Sequence, residues 1–419
     1  MSKTLTRIEA TPQQLDYLLS PQAIRARCRE IFRLAEQGQT SFRIHASRLD
    51  EAARYVLDVT KKNYPDGNIP FHARWEHFQA SGVDRLSPLH DQLAGLDPWE
   101  RVRTLFDLVI TSVLLDAGAG LKWKYLESAT DQTLARSEGL AVASLRLFEA
   151  GLLSSDALHP LRADCAGLEM LTAQTLGRVF QVNEENPLTG LESRAGLMNG
   201  LGRSCRRHPE FFPAPEGRPP RPGHLADYLR TRAENGQLPC AEILRSVLLA
   251  FQEVWPSRMQ VGPVLFGDVW HYDPLDGEPR FESLVPFHKL SQWLTYSLIE
   301  PLEQAGLKIT GVDTLTGLPE YRNGGFFLDA GVLELRVPDA ASRAHRPDSA
   351  LIIEWRALTV CLLDELGDRV RAALGKTPHE LPLARILQGG TWAAGRKIAQ
   401  EKRPDGSPPL MLESDGTVF

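Results

Sequence analysis

The sequence predicts a mainly α protein, a large helical body carrying a small β-hairpin or short sheet. Three observations carry that expectation. Apolar residues recur with helical spacing along most of the chain, strand-like patterning is confined to residues 261–287 and 332–336, and no low-complexity linker divides the 419 residues. Two lobes of one packed unit follow: residues 1–260 as a helical lobe with pocket-lining segments, and 261–419 holding the hairpin, a central helix, an acid loop and C-terminal helices.

Taken in order, Pro12 to Gln37 carries a broken apolar stripe interrupted at Ser20-Pro21, which predicts two helices. A third spans Leu49 to Lys62 and ends at Asn63-Tyr64-Pro65-Asp66-Gly67. The next stretch gathers His72, Arg74, Trp75, His77 and Phe78, which could line a pocket or simply pack Trp75 and Phe78 inward. His72 and His77 are five apart, the wrong spacing for two ligands on one helix face, and no HExxH pattern accompanies them. Pro98 to Leu115 is a clear helix closed by Asp116-Ala117-Gly118-Ala119-Gly120. There Asp116 either serves a site or stabilises a turn. Those glycines lack the Walker spacing, and no GxGxxG follows a strand, so nucleotide-loop readings lose support.

Helical patterning continues over 141–152, 168–182, from Arg194, over 224–234 and over 241–254, with a proline-rich surface excursion at 213–222. After an exposed link at 338–347, a long helix spans Ser349 to Leu374. The tail then presents Gln388-Gly389-Gly390-Thr391-Trp392 and Arg396. Thr391 either restarts a helix after a glycine stop or caps one whose free amides, with Arg396, would suit an anion.

The densest chemistry lies between Phe266 and Val332. An apolar run from Val261 to Trp270, a turn at Asp276-Gly277 and a return to Phe287 read as a hairpin bearing Asp268, His271 and Tyr272. Pro286 opens a helix that Gly306 stops. On its polar side Lys289, Gln292 and Tyr296 can project together, with His288 beside them. A loop then presents Glu320, Tyr321, Arg322, Asn323, Gly324 and Gly325. Each polar residue alone is as readily a cap or an ion pair; as a group, with glycines permitting close backbone approach, they form a candidate site.

Composition narrows the classes. A formal net charge of −6 with cations scattered among acids gives no footprint for nucleic acid. Five dispersed cysteines without CxxC fit a reducing compartment and ordinary thiols. Without an apolar signal core or a long apolar run, the expectation is a soluble, cytoplasmic protein away from membranes. Its partner is then a small molecule, and no cofactor or metal is called for.

The motifs FHARWEHF, LLDAGAG with WKY, VPFHKLSQWLTYSL, PEYRNGG, GGTWAAGRKIA and the terminal SDGTVF together resemble the URC4-type proteins of uracil catabolism. That resemblance covers most of the chain and implies a pathway with a ribosylurea intermediate and urea release. More distantly, the chain is similar to the queuosine-salvage nucleoside hydrolases, helical proteins with a DNA-glycosylase-like body. Phe266, Asp268 and Tyr272, then Lys289 and Gln292, then Glu320, Tyr321 and Arg322 match their motifs in order. Glu320 stands where that family has an aspartate, and Asn323-Gly324-Gly325 replaces its valine-proline-glutamine, so the base pocket is expected to differ.

What the resemblances imply is an N-ribosyl hydrolase acting on ribosylurea or its phosphate. Glu320 would face the cationic sugar, Lys289 would keep it ionised or bind ligand, and Asp268 or His271 would give a proton. Arg322 and Arg396 would grip a ribose phosphate. Tyr321, Asn323, Gln292, His288, Tyr272, Trp75 and Asp116 complete the expected lining. Two alternatives stand beside it: a metal-assisted hydrolase recruiting Asp268, His271, His72 and His77, and a non-catalytic protein that binds a uracil-derived nucleotide.

Overall fold

The computed structural model describes residues 5–120, 122–255 and 259–413, so the terminal SDGTVF motif lies outside the described residues. The fold is mainly α. Strands among the described residues are two to four residues long and pair in one three-stranded sheet and five two-stranded ladders. No described helix is long and apolar enough to cross a membrane.

The chain divides into two compact units, and the division is not the single cut near residue 260 that the sequence pattern implied. Described residues of Met1–His72, Arg258–Gln292 and Gly311–Glu413 form one; those of Ala73–Ser257 and Trp293–Thr310 form the other. The physical reason is the Ala350–Leu374 helix. It is buried along most of its length and needs apolar cover on several sides, which the early helices Pro21–Glu36 and Leu49–Asn63 supply.

In the first unit, Ser20 caps the Pro21–Glu36 helix through the Ala23 amide, with proline at the first helical position. The long helix ends at Gly375, whose φ of 62° is the left-handed value glycine tolerates. The expected hairpin proves to be two ladders. Met259–Val261 pairs with Val264–Phe266, and Val269–His271 pairs with Leu284–Pro286. The apolar run therefore breaks at Gly267-Asp268, and Pro286 closes a strand rather than opening a helix; the Lys289–Gln304 helix begins three residues later. Phe42–Ile44 pairs antiparallel with Leu333–Leu335. The link at 338–347 is less exposed than expected, since Ala340 and His345 are buried and Ala344–His345 pairs with Met411–Leu412.

One segment departs from expectation in a way that matters for the site. Residues 383–402 form one continuous helical path in which Leu387–Thr391 is a π-turn. Thr391 is helical (φ −65°, ψ −40°) and caps nothing, so the free amides proposed for an anion are not there. The two glycines are explained by packing. A Cβ on Gly390 would lie 2.4 Å from Val56 Cγ1, and one on Gly389 would lie 3.1 Å from Ile69.

The second unit is built on the buried Pro98–Leu114 helix, whose N-cap Asp97 accepts from the Trp99 and Glu100 amides. Within it, Asp107 is fully buried against Arg221 at 2.7 Å. The helices Arg136–Glu149 and Leu225–Arg232 pack on the same core.

Candidate functional site

Glu320 is the N-cap of the helix Tyr321–Asp329. Its two carboxylate oxygens accept from the Arg322 amide at 2.8 Å and the Asn323 amide at 2.6 Å. That is the capping role the sequence left open, yet it does not exhaust the group. Only 8% exposed, the carboxyl is pushed above its ordinary range by burial, against the opposing pull of the Lys289 ammonium, the helix amides and Arg322. Each oxygen accepts one amide bond and keeps acceptor capacity for a ligand.

Lys289 is placed by Asp268. One oxygen of Asp268 accepts the Lys289 amide at 2.9 Å at the start of the helix whose first side chain acts electrostatically on Glu320. Both oxygens are forked by Arg356 at 2.7 and 3.0 Å, and Trp270 Nε1 donates to one of them at 2.8 Å. Although burial raises its pKa, Arg356 and these donors hold Asp268 below the usual carboxylate range. The expected proton-donor role does not suit a group kept ionised in this way. Arg356 was not singled out in the sequence, because it sits within an apolar helical stripe.

The glycines of the acid loop serve packing. A Cβ on Gly324 would meet the Trp355 ring at 2.7 Å, and one on Gly325 would meet Pro409 at 3.0 Å. On the neighbouring helix, a Cβ on Gly395 would come within 2.4 Å of the Arg322 carbonyl. This close approach lets the Trp392–Lys402 helix bring Trp392 over Arg322. The guanidinium carbon lies 4.8 Å from the Trp392 ring centroid and 5.3 Å from that of Tyr321.

Beyond Trp392 comes His72, its ring centroid 5.8 Å away. His72 Nδ1 lies 2.9 Å from Gln388 Oε1, and Gln388 Nε2 donates to the Tyr64 hydroxyl at 2.9 Å. Burial lowers His72 to about 4, and the Lys289 charge pushes the same way. Lys289 is thus felt by both Glu320 and His72. Glu320, Lys289, Arg322, Tyr321, Trp392, His72 and Gln388 all belong to the first unit. Trp392 and Gln388 were visible in the sequence only as part of a glycine-rich motif.

Other expected residues are committed elsewhere. Gln292 is fully buried, donating to Thr316 and the Phe287 carbonyl while its oxygen accepts the Thr316 amide at 3.0 Å. It fastens the helix to the loop before Glu320, and Tyr296, which belongs to the second unit, is likewise buried. His288 adopts a φ of 48°, contacts the Leu18 carbonyl through Nε2 at 2.9 Å, and has its pKa lowered chiefly by burial. Tyr272 donates to Glu354 at 2.8 Å, and His271 engages Ser283 and Asp273. Asn323 donates to the Leu318 carbonyl at 3.0 Å, while its buried Oδ1 has no partner. Arg396 is half-buried one turn beyond Trp392.

Trp75 and Asp116 belong to the second unit. There Trp75 Nε1 donates to the Ser297 carbonyl at 2.8 Å, and Asp116 pairs with Arg74 at 2.5 Å and accepts from Ser137. His77 meets the Trp293 ring edge-on at 5.6 Å. Among the described residues no three of His, Cys, Asp or Glu converge as a metal site.

A family described as "Protein of unknown function (DUF1688)" matches residues 17–419. The chain is similar to the protein urg3 of Schizosaccharomyces pombe, at 39% identity over 418 residues, covering 96% of this chain and 98% of that one. It is similar also to uracil catabolism protein 4 of Lachancea kluyveri, at 38% identity over 440 residues, covering 97% and 99%.

Proposed function

The chain belongs to the DUF1688 family, and from that premise we propose that it acts in pyrimidine catabolism as an N-ribosyl hydrolase releasing urea from ribosylurea or its phosphate. The name of the Lachancea relative, uracil catabolism protein 4, supports the pathway. The observation that carries the chemistry is Glu320, a buried carboxyl raised in pKa and flanked by the Lys289 ammonium.

Breaking an N-ribosyl bond develops positive charge at the anomeric carbon, so a carboxylate held there favours the transition state over the ground state. A water attacks as the bond to urea lengthens: a C–O bond forms, the C–N bond breaks, and one proton passes from the water to the leaving nitrogen. A carboxyl whose pKa burial raises above its ordinary range is better suited to take that proton and to return it. Lys289 opposes that rise and so favours the ionised form that stabilises the sugar cation.

The test is urea release by purified protein from ribosylurea and from its phosphate. Glu320→Gln keeps one acceptor for the helix amides and removes the charge, so the protein should fold and lose turnover by about 100-fold or more. Absence of urea from both compounds with the folded wild type would reject the reading. A merely structural Glu320 would instead show lowered stability with turnover retained.

A further inference from the structure

Two carboxylates and three cations meet around this site, and two of the cations are matched. Arg356 is forked onto Asp268, and the Lys289 ammonium is set against Glu320. That leaves Arg322. It is 5% exposed, its guanidinium is in no ion pair with a described residue, and none of its side-chain N–H groups donates to one. Its charged contacts are the Tyr321 and Trp392 rings and the field of Glu320.

The position makes that isolation costly. Arg322 is the second residue of its helix, where the backbone dipole disfavours a cation, and burying an ion without a counter-ion adds a desolvation penalty. Aromatic contact recovers part of this, but ring quadrupoles accept none of the five N–H donors in a defined direction. What the rings do is flank the guanidinium, at 5.3 and 4.8 Å from its carbon. A guanidinium held this way is preorganised for two parallel hydrogen bonds to an oxyanion, and Gly395 against the Arg322 carbonyl keeps the clamp in place.

We propose that Arg322, clamped between Tyr321 and Trp392, seats a phosphate monoester carried on the ligand's sugar, so that the substrate class is a ribosyl phosphate and not the neutral riboside. The sugar rests on the hydrolase reading above, whereas the anion follows from Arg322 alone. The phosphate supplies the missing counter-ion, and its transfer from water is offset by charge-assisted bonds that no uncharged sugar hydroxyl can match.

Calorimetric titration of the full chain with ribose 5-phosphate, ribose and inorganic phosphate at fixed ionic strength tests this. Ribose 5-phosphate should bind at least about tenfold tighter than either of the others, the margin of one charge-assisted contact. Arg322→Gln should bring it down to the level of ribose while leaving ribose unchanged, and Arg322→Lys should retain part of the preference because it keeps charge but not the fork. Circular dichroism establishes folding, and if Arg322→Gln does not fold, the Lys variant and the wild-type ligand series decide. Equal binding of ribose and ribose 5-phosphate, or a preference that survives Arg322→Gln, overturns the proposal. Inorganic phosphate binding as tightly as the sugar phosphate overturns it too, by making the seat one for a free anion. Turnover separates the two readings. An Arg322-dependent preference without urea release from either compound leaves this inference standing and removes the hydrolase. Equal urea release from ribosylurea and its phosphate does the reverse.

Discussion

Asp268 and Arg356 meet through two parallel hydrogen bonds of 2.7 and 3.0 Å, and the same carboxylate accepts the amide of Lys289. One pair therefore fixes both the start of a helix and the backbone of the lysine whose charge acts on Glu320. Removing either partner strands a buried charge, so Asp268→Ala or Arg356→Met should each cost about 3–5 kcal/mol. The folded pKa of Asp268 lies below its ordinary value, so its contribution is present above that value and disappears as pH falls through the folded one. Urea denaturation at neutral pH and below pH 4 should show the mutational cost shrinking in acid. An Asp268→Ala protein as stable as wild type at pH 7 would contradict the pairing.

Lys289→Met should move the acid limb of turnover to higher pH. Glu320 is already raised by burial, and Lys289 is the foremost influence holding it down. Without the ammonium the carboxyl keeps its proton further toward neutrality, and the ionised fraction at a given pH falls. A pH–rate profile of the variant with an unmoved acid limb would sever the link between the two residues.

Much of the scaffold was legible in the sequence because its signals are local. Ser20-Pro21 and Gly306 mark helix ends by capping chemistry and backbone conformation, and the acid loop stands out because an acid, a base, an amide and two glycines adjoin there, although its helix, Tyr321–Asp329, is not visible in the pattern. The rest depends on residues far apart in the chain. His72 reaches Trp392 and Gln388 only because residues before 72 and after 311 share one unit. Arg356 carries no local signal, since nothing near it in the chain shows that Asp268 lies opposite it. Gly389-Gly390 read as a stop, although their missing side chains answer to Val56, Thr60 and Ile69 on another element. The three-residue strands are too short for a period-two pattern to register.

His72 makes stability rise with pH across a defined window. Burial lowers its folded pKa to about 4, against roughly 6.5 in an unfolded chain, so between those values the unfolded state binds the extra proton. Stability is complete above the unfolded value and is lost as pH falls toward 4, by roughly 2 kcal/mol at pH 5 from this residue. His72→Asn removes the titration and should flatten the slope between pH 7 and 5, even if it lowers the plateau by losing the Gln388 contact. Denaturation series at several pH values would show this, and parallel slopes for the two proteins would exclude it.

Thr391→Val should stabilise the protein. The Thr391 hydroxyl is fully buried in the π-turn and has no hydrogen-bond partner, so it bears the cost of leaving water without a return. Valine is close in shape, and removing the stranded hydroxyl should raise the unfolding free energy by about 1–2 kcal/mol, visible as a higher denaturant midpoint at unchanged slope. The same variant also reports on ligand. Thr391 adjoins Trp392, the residue that clamps Arg322, so a stabilised protein with weakened ribose 5-phosphate binding would mean that the hydroxyl finds its acceptor or donor in the bound state. Lower stability than wild type would instead show that the hydroxyl is already satisfied in the ligand-free protein.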